Sequence, residues 1–177
     1  HLLIEQTGLQ SRCPALDQLE SLRFTLEARI PYCVSYMEAP EAALHTGQTS
    51  MFFTVANVRT QDMYWFGIPI FDARYEQIRE YMAEDGGKAD ASHKFIYIVD
   101  QAELTDAGLP SGGWMKLDID ILPFLQRGLT AAVDRGFLHS DAISMYTITS
   151  TNLGWEMPGT YDAILEIKNL SLTAILK

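Results

Sequence analysis

Apolar and polar residues alternate over several long stretches of this chain, a period of two that marks strands with one buried face. The clearest case is Glu20 to Ile30, where Leu22, Phe24, Leu26, Ala28 and Ile30 interleave with Arg23, Thr25, Glu27 and Arg29. Pro31 follows, and is expected to stop that strand or set its end at an edge, because proline has no N–H for a ladder. Ser50 to Arg59 is apolar on nearly both faces, with Met51, Phe53 and Val55 on one and Phe52, Ala56 and Val58 on the other. That pattern predicts a central or covered strand. Met63 to Phe71 sets Tyr64, Phe66, Ile68 and Ile70 against Trp65 and Phe71, although Pro69 is awkward in a central strand. Lys94 to Val99, Trp114 to Ile121 and Ala142 to Ser150 read as further strands. Tyr161 to Leu176 closes the chain as a long strand or hairpin pair with an irregularity near Asn169, and Leu2 to Ile4 suggests an edge strand before a turn near Gly8.

Elsewhere the period changes. Leu122, Leu125, Leu129 and Val133 form a helical stripe over Leu122 to Asp134, with Pro123 in the first turn and Gly136 beyond the end. Tyr75, Ile78 and Met82 predict a second helix from Ala73 to Ala83, capped by Asp72. Ser35 to Gly47, Glu84 to Ser92, Gln101 to Gly113 and Asn152 to Gly159 read as connections. The total is about seven to nine strands and two short helices. Two helices cannot cover both faces of a parallel sheet. The expected class is therefore all-β, a two-sheet antiparallel β-sandwich of jelly-roll type, with residues 1–177 as one domain. The start at His1 rather than a methionine suggests a segment excised from a longer protein.

Composition sharpens this. Of 177 residues, 47% are apolar and 20% charged, which suits a folded chain. Lysine and arginine number 13 against 23 acidic residues, a formal charge of -10. That balance speaks against a nucleic-acid partner and against adsorption to an anionic membrane, and leaves room for a divalent cation such as Ca2+. No stretch approaches the 18 or so apolar residues of a transmembrane helix, and no signal-peptide pattern is visible. Cys13 and Cys33 allow one pairing, a loop of about 20 residues worth ~3 kcal/mol. The alternative is two reduced thiols. His1, His45, His93 and His139 do not stand at metal-motif spacing with another ligand.

The candidate chemistry rests on carboxylates and aromatics. Phosphate-loop, nucleophile-elbow and zinc motifs are absent, and no catalytic residue is assigned. Asp72, Glu76, Asp118, Asp120, Glu156 and Glu166 are the carboxylates from which a hydrolytic pair would be drawn. Glu156 stands out because it follows Trp155 in a glycine-bounded segment. The plainer alternatives are a solvated strand face for Asp118 and Asp120, and a loop-fixing hydrogen bond for Glu156. Trp114 shares the polar face of its strand, Trp155 is expected on a loop, and Trp65 reads as core. Asp100, Glu103, Asp106, Asp85 and Asp90 are the acidic residues nearest a calcium-ligand composition, without matching a ligand pattern.

Three segments carry a resemblance: Tyr64 to Arg74 (YWFGIPIFDAR), Asn152 to Gly159 (NLGWEMPG) and Ile167 to Leu172 (IKNLSL). They resemble the jelly-roll β-sandwich modules of bacterial extracellular, carbohydrate-associated proteins. The resemblance implies a noncatalytic carbohydrate-binding or accessory module, extracellular or at the cell surface, whose partner is a polysaccharide or other glycan. Trp114 or Trp155 would then stack on a sugar, Glu156 and Asp118 would accept hydroxyl hydrogen bonds, and Arg74 would donate. Asp72 and Arg74 could equally form a structural ion pair. Two other classes compete: a small glycoside hydrolase or lyase using paired carboxylates, and an assembly domain with a protein partner, presenting Phe52 and Phe66.

Overall fold

The computed structural model describes residues 2–86, 91–105 and 113–177. Its strands are β1 (Leu2–Gln6), β2 (Leu19–Ser35), β3 (Gln48–Asn57), β4 (Met63–Asp72), β5 (Tyr81–Glu84), β6 (Phe95–Ile98), β7 (Met115–Asp120), β8 (Tyr146–Glu156) and β9 (Tyr161–Leu176). One α-helix, α1 (Leu122–Asp134), follows β7. The strands form a six-stranded sheet, β1-β8-β3-β4-β6-β5, and a three-stranded sheet, β7-β2-β9. This is the all-β, two-sheet sandwich that the alternation predicts.

The core lies between the sheets and is built by the inward halves of the alternating strands. Phe24 and Leu26 of β2, Phe53 of β3, Phe66 of β4 and Tyr97 of β6 are fully buried. Their rings run edge-to-face from Phe24 to Phe53 and on through Phe66 to Tyr97. The helical stripe predicted from Leu122 forms as expected, with Pro123 in its first turn. It buries Leu122, Leu125 and Leu129 against the sandwich. Gly128 brings the helix backbone flush onto Tyr64, whose hydroxyl donates to the Leu125 carbonyl at 2.7 Å.

Both prolines that looked awkward sit at irregularities. β2 continues through Pro31 to Ser35, but its pairing with β7 ends at Ala28 and its register with β9 shifts between Arg29 and Tyr32. Pro31 therefore occupies a stretch where its missing N–H costs no regular ladder bond. Pro69 pairs with Ser50 at a register shift, after which Thr49 faces Phe71. The extra residue on β4 is a bulge. The last expected irregularity is also present: Asn169 has φ 55, next to a shift in the β2–β9 register.

Three expectations are corrected. Residues 73–80 form no helix, and β5 begins at Tyr81. The Asp72 carboxylate caps a turn instead, accepting from the Arg74 N–H at 3.0 Å. The Ile78 N–H and carbonyl are both taken by Gln101. Next, Asn152 to Glu156 belongs to β8 rather than to a loop, because β1 and β3 pair with it on either side. Finally, β4 and β6 run parallel, so the sandwich is not wholly antiparallel. Cys13 and Cys33 are free thiols, and burial raises both pKa values.

Candidate functional site

The outward face of the six-stranded sheet carries a groove of ≈ 780 Å3. Its floor comes from the outward halves of the same strands whose inward halves make the core. Phe52 of β3, Trp65 and Pro69 of β4, and Ile96 and Ile98 of β6 all line it. Phe52 pairs with Gly67, and a Cβ at Gly67 would stand 2.7 Å from the Phe52 ring and 2.9 Å from Ile98. The absent side chain lets the Phe52 ring lie low across β4. Trp65 is the diagonal neighbour of Phe52 in this register, about 7–8 Å away. Both aromatic residues line the groove, and the Trp65 Nε1 donates to Ser92 Oγ at 3.4 Å.

One wall is the irregular segment 73–80 with the start of β5, which contributes Tyr75, Ile78 and Tyr81. It is held from below. The buried Tyr97 hydroxyl donates to Glu80 at 2.6 Å and accepts from Arg127 Nε at 2.5 Å. Arg127 in turn grips both oxygens of Glu103 at 2.9 and 2.7 Å. Burial, followed by the bond to Glu80, pushes the Tyr97 phenol well above its usual pKa. Gln101 adds a second tie, donating to the Ile70 carbonyl at 3.0 Å while accepting from Ile78.

The groove becomes polar at one end, and the β4 bulge is the reason. Past the bulge, Asp72, Gln48 and Glu156 fall in one cross-strand row. Gln48 Nε2 donates to Glu156 at 2.9 Å, and Arg74 donates to Gln48 Oε1 at 3.3 Å. The Arg74 guanidinium also clasps both oxygens of Asp72, at 2.9 and 2.6 Å. Thr46 Oγ1 donates to the same carboxylate at 2.7 Å. Burial alone would raise the Asp72 pKa, but the side-chain and backbone bonds from Arg74 and the Thr46 hydroxyl outweigh it and leave the pKa below the usual value. Asp72 is thus a fixed anion rather than a proton donor. Arg74 fixes which way the Gln48 amide points, and Gln48 then orients Glu156.

The five residues singled out from sequence divide between three places. Glu156 and Arg74 meet in the polar row. Trp155 shares their end of β8, but its ring is 4% exposed and packs edge-to-face on Phe71, so it offers no face to a ligand. Asp118 lies on β7 of the three-stranded sheet and Trp114 immediately precedes that strand, neither of them lining the groove. The Trp114 ring is covered by the Arg29 guanidinium at 5.0 Å and the Lys168 ammonium at 4.1 Å. Asp118 forms a two-bond ion pair with Arg23, at 2.5 Å, and that bond lowers its pKa. Phe66 is core, whereas Phe52 reaches the groove. The sequence reading missed Trp65, Phe52 and Gln48. The signal was present: Trp65 shares strand parity with Gly67 and Pro69, opposite the plainly apolar set Tyr64, Phe66 and Ile68.

Among the described residues no group of three or more histidine, cysteine or acidic side chains is placed to hold a metal ion. Asp100 caps the turn at Ala102 and lies 3.5 Å from Arg79, and Glu103 is taken by Arg127. Asp90 and Asp106 fall outside the described residues. No helix among the described residues is long and apolar enough to cross a membrane.

No sequence-family model and no curated protein matches the chain. Solved structures do. A native family 12 xyloglucanase from Bacillus licheniformis superposes with a TM-score of 0.54 at 13% identity, over 98% of this chain and 74% of that one. The endoglucanase Cel12A from Rhodothermus marinus gives 0.52 at 13% identity, over 99% and 74%. A metagenome-derived glycoside hydrolase family 12 endoglucanase gives 0.51 at 11% identity, over 99% and 73%. The fold is that of these jelly-roll β-sandwiches.

Proposed function

We propose that the chain is a noncatalytic glycan-binding module whose binding face is the groove on the six-stranded sheet. The observation that carries this is a groove lined by two aromatic residues, Phe52 and Trp65, together with the hydrogen-bonding row Glu156, Gln48, Arg74 and Asp72. A pyranose ring offers an apolar C–H face and a hydroxyl rim, and such a groove meets both. Glu156 and Arg74 keep the roles of acceptor and donor proposed from sequence. The stacking role passes from Trp114 and Trp155 to Trp65 and Phe52, and Asp118 is left outside the site. The xyloglucanase and endoglucanases of the same fold make a polysaccharide the natural ligand class. We take residues 1–177 as one such domain of a bacterial extracellular or cell-surface protein.

Hydrolysis is the second reading, and Glu156 in the groove is what favours it. Glycosidic cleavage needs a second carboxylate roughly 5–9.5 Å from the first. The outward β4 positions beyond the bulge from Glu156 are Trp65, Gly67 and Pro69, which supply no base or nucleophile. Of the other described groove carboxylates, Asp72 is held as an ion pair with Arg74, Glu80 accepts from the Tyr97 hydroxyl and Asp85 accepts from Ser92. Both facts weigh toward binding without turnover.

The test is binding of the purified chain to a panel of neutral plant and microbial polysaccharides, with calcium and with EDTA, beside an assay for released reducing ends. Selective binding that Trp65→Ala abolishes and Trp114→Ala leaves intact supports the reading. Released reducing ends that disappear in Glu156→Gln would replace it with the hydrolase. Binding lost only in EDTA would add a cation to the site.

A further inference from the structure

Along the β3–β8 seam the sheet presents four successive outward-facing pairs: Gln48–Glu156, Ser50–Gly154, Phe52–Asn152 and Thr54–Ser150. The two outer pairs are closed. Gln48 donates to Glu156 at 2.9 Å, and the Thr54 and Ser150 hydroxyls share a bond at 2.7 Å. The two inner pairs are open. Gly154 has no side chain to offer Ser50, because β1 passes so close that a Cβ there would strike the Leu2 carbonyl. Phe52 offers Asn152 no polar atom, and its ring leans the other way, over Gly67. Ser50 and Asn152 both line the groove, each half-buried. Among the described residues, neither the Asn152 carboxamide nor the Ser50 hydroxyl has a hydrogen-bond partner in the protein.

Asn152 is also an unfavourable choice for its backbone position. Asparagine is depleted in strands, yet this one lies within β8, with β1 pairing at Glu5 and β3 at Phe52. No side-chain bond within the described protein offsets that. A carboxamide carries a donor and an acceptor side by side. An internal residue of a 1,4-linked glycan has one pair of neighbouring free ring hydroxyls, at C2 and C3. A sugar seated over Phe52 turns its rim toward Asn152, and the amide then donates to one hydroxyl and accepts from the other. A hydroxyl that leaves the plane of the ring breaks this match, and the covered amide keeps an unpaired donor or acceptor.

We infer that Asn152 is a specificity-determining residue of the groove: it reads the C2–C3 hydroxyl pair of the sugar over Phe52 and favours sugars in which both hydroxyls lie near the plane of the ring. This rests on the glycan-binding reading and deepens it by naming the feature of the sugar that is read.

The test uses two hexasaccharides that differ only in the configuration at C2, a β-1,4-linked glucan and a β-1,4-linked mannan. Calorimetry gives their affinities for the parent, for Asn152→Ala and for Asn152→Asp, which matches the amide in size, keeps an acceptor and loses the donor. The parent should prefer the glucan by about tenfold. Both variants should lose most of that preference through weaker glucan binding, with mannan affinity moving less than about twofold. A merely structural role would weaken both chains alike. Unchanged melting temperatures confirm that the variants are folded, and Asn152→Asp serves where the alanine variant is destabilised. Equal affinities of the parent for the two chains, a preference for the mannan, or a glucan preference that survives both substitutions would overturn the role of Asn152 while leaving glycan binding in place. Failure of both hexasaccharides to bind also overturns it, and failure of the whole polysaccharide panel overturns the glycan-binding reading as well.

Discussion

Asp72 shows how one residue serves both stability and site. Its side chain is 7% exposed, and its charge is held by Arg74 and Thr46. The folded carboxyl therefore titrates below its ordinary value of 3.8. On lowering the pH, the unfolded chain takes up this proton first. The contribution of Asp72 is thus fully present above the unfolded pKa and is lost as the pH falls through the folded one. Asp72→Asn should cost about 1–3 kcal/mol near neutrality, because it leaves Arg74 half-buried without its counter-charge. It should also flatten the acid limb of stability below about pH 4. Denaturant midpoints of both proteins across that range check both points, and parallel curves would refute the role. At this scale the sequence was partly readable. Asp72 and Arg74, two apart, were recognisable as an ion pair. The burial of Trp155 was not. Its flanking Gly154 and Gly159 imitate a loop, and only the strands paired on either side of β8 bury the ring.

Single elements give sharper contrasts. α1 was legible to its ends, since its apolar stripe, Pro123 and Gly136 all agree. The stretch after Asp72 carried a helical period too, yet the structure spends Tyr75 and Ile78 on a groove wall. Local pattern says that those residues want cover, not which surface provides it. The wall's ties yield a prediction. Tyr97→Phe removes the hydroxyl that joins Glu80 to Arg127, so amide exchange over 73–80 should speed up about tenfold or more. Hydrogen-exchange mass spectrometry reads this directly, and exchange confined to parent rates would show that Gln101 alone holds the wall. Within α1, Gly128→Ala sets two effects against each other. Helix propensity favours alanine by about 1 kcal/mol. The new Cβ would stand 2.7 Å from Tyr64 Cε2 and 2.8 Å from its hydroxyl, in a fully buried site. Overpacking there costs about 1–3 kcal/mol, with the Tyr64–Leu125 bond at risk as well. The expected sum is a loss of about 1–2 kcal/mol. Thermal unfolding decides the sign, and a more stable variant would refute the tight contact.

For the whole molecule, alternation was enough to announce two packed sheets, because each strand declares a wet and a dry face. Strand order was not readable. Nothing local in β4 or β6 says that they run parallel. The decision as to which wet face becomes a groove depends on the 73–80 wall and on the β4 bulge, both products of the assembled sheet. The same limit explains why Trp114, on the better polar pattern, lies beneath two cations while Trp65 faces the groove.

The Asn169 irregularity bears on the protein's life in a crowded solution. β9 is an edge strand in the order β7-β2-β9, sixteen residues long, and its Leu170, Ile175 and Leu176 are exposed. A straight edge of that length and greasiness is a template on which further chains can be laid down. The left-handed turn at Asn169, held by its side-chain bond to Glu27 at 2.6 Å, bends the edge midway so that no incoming strand can stay in register along it. Asn169→Val should therefore promote concentration-dependent fibril or oligomer growth at temperatures well below unfolding. Light scattering and a cross-β-sensitive dye follow it, and a variant that stays monomeric would place the protection elsewhere. The kink that disturbs the ladder is, on this account, what keeps the protein in solution.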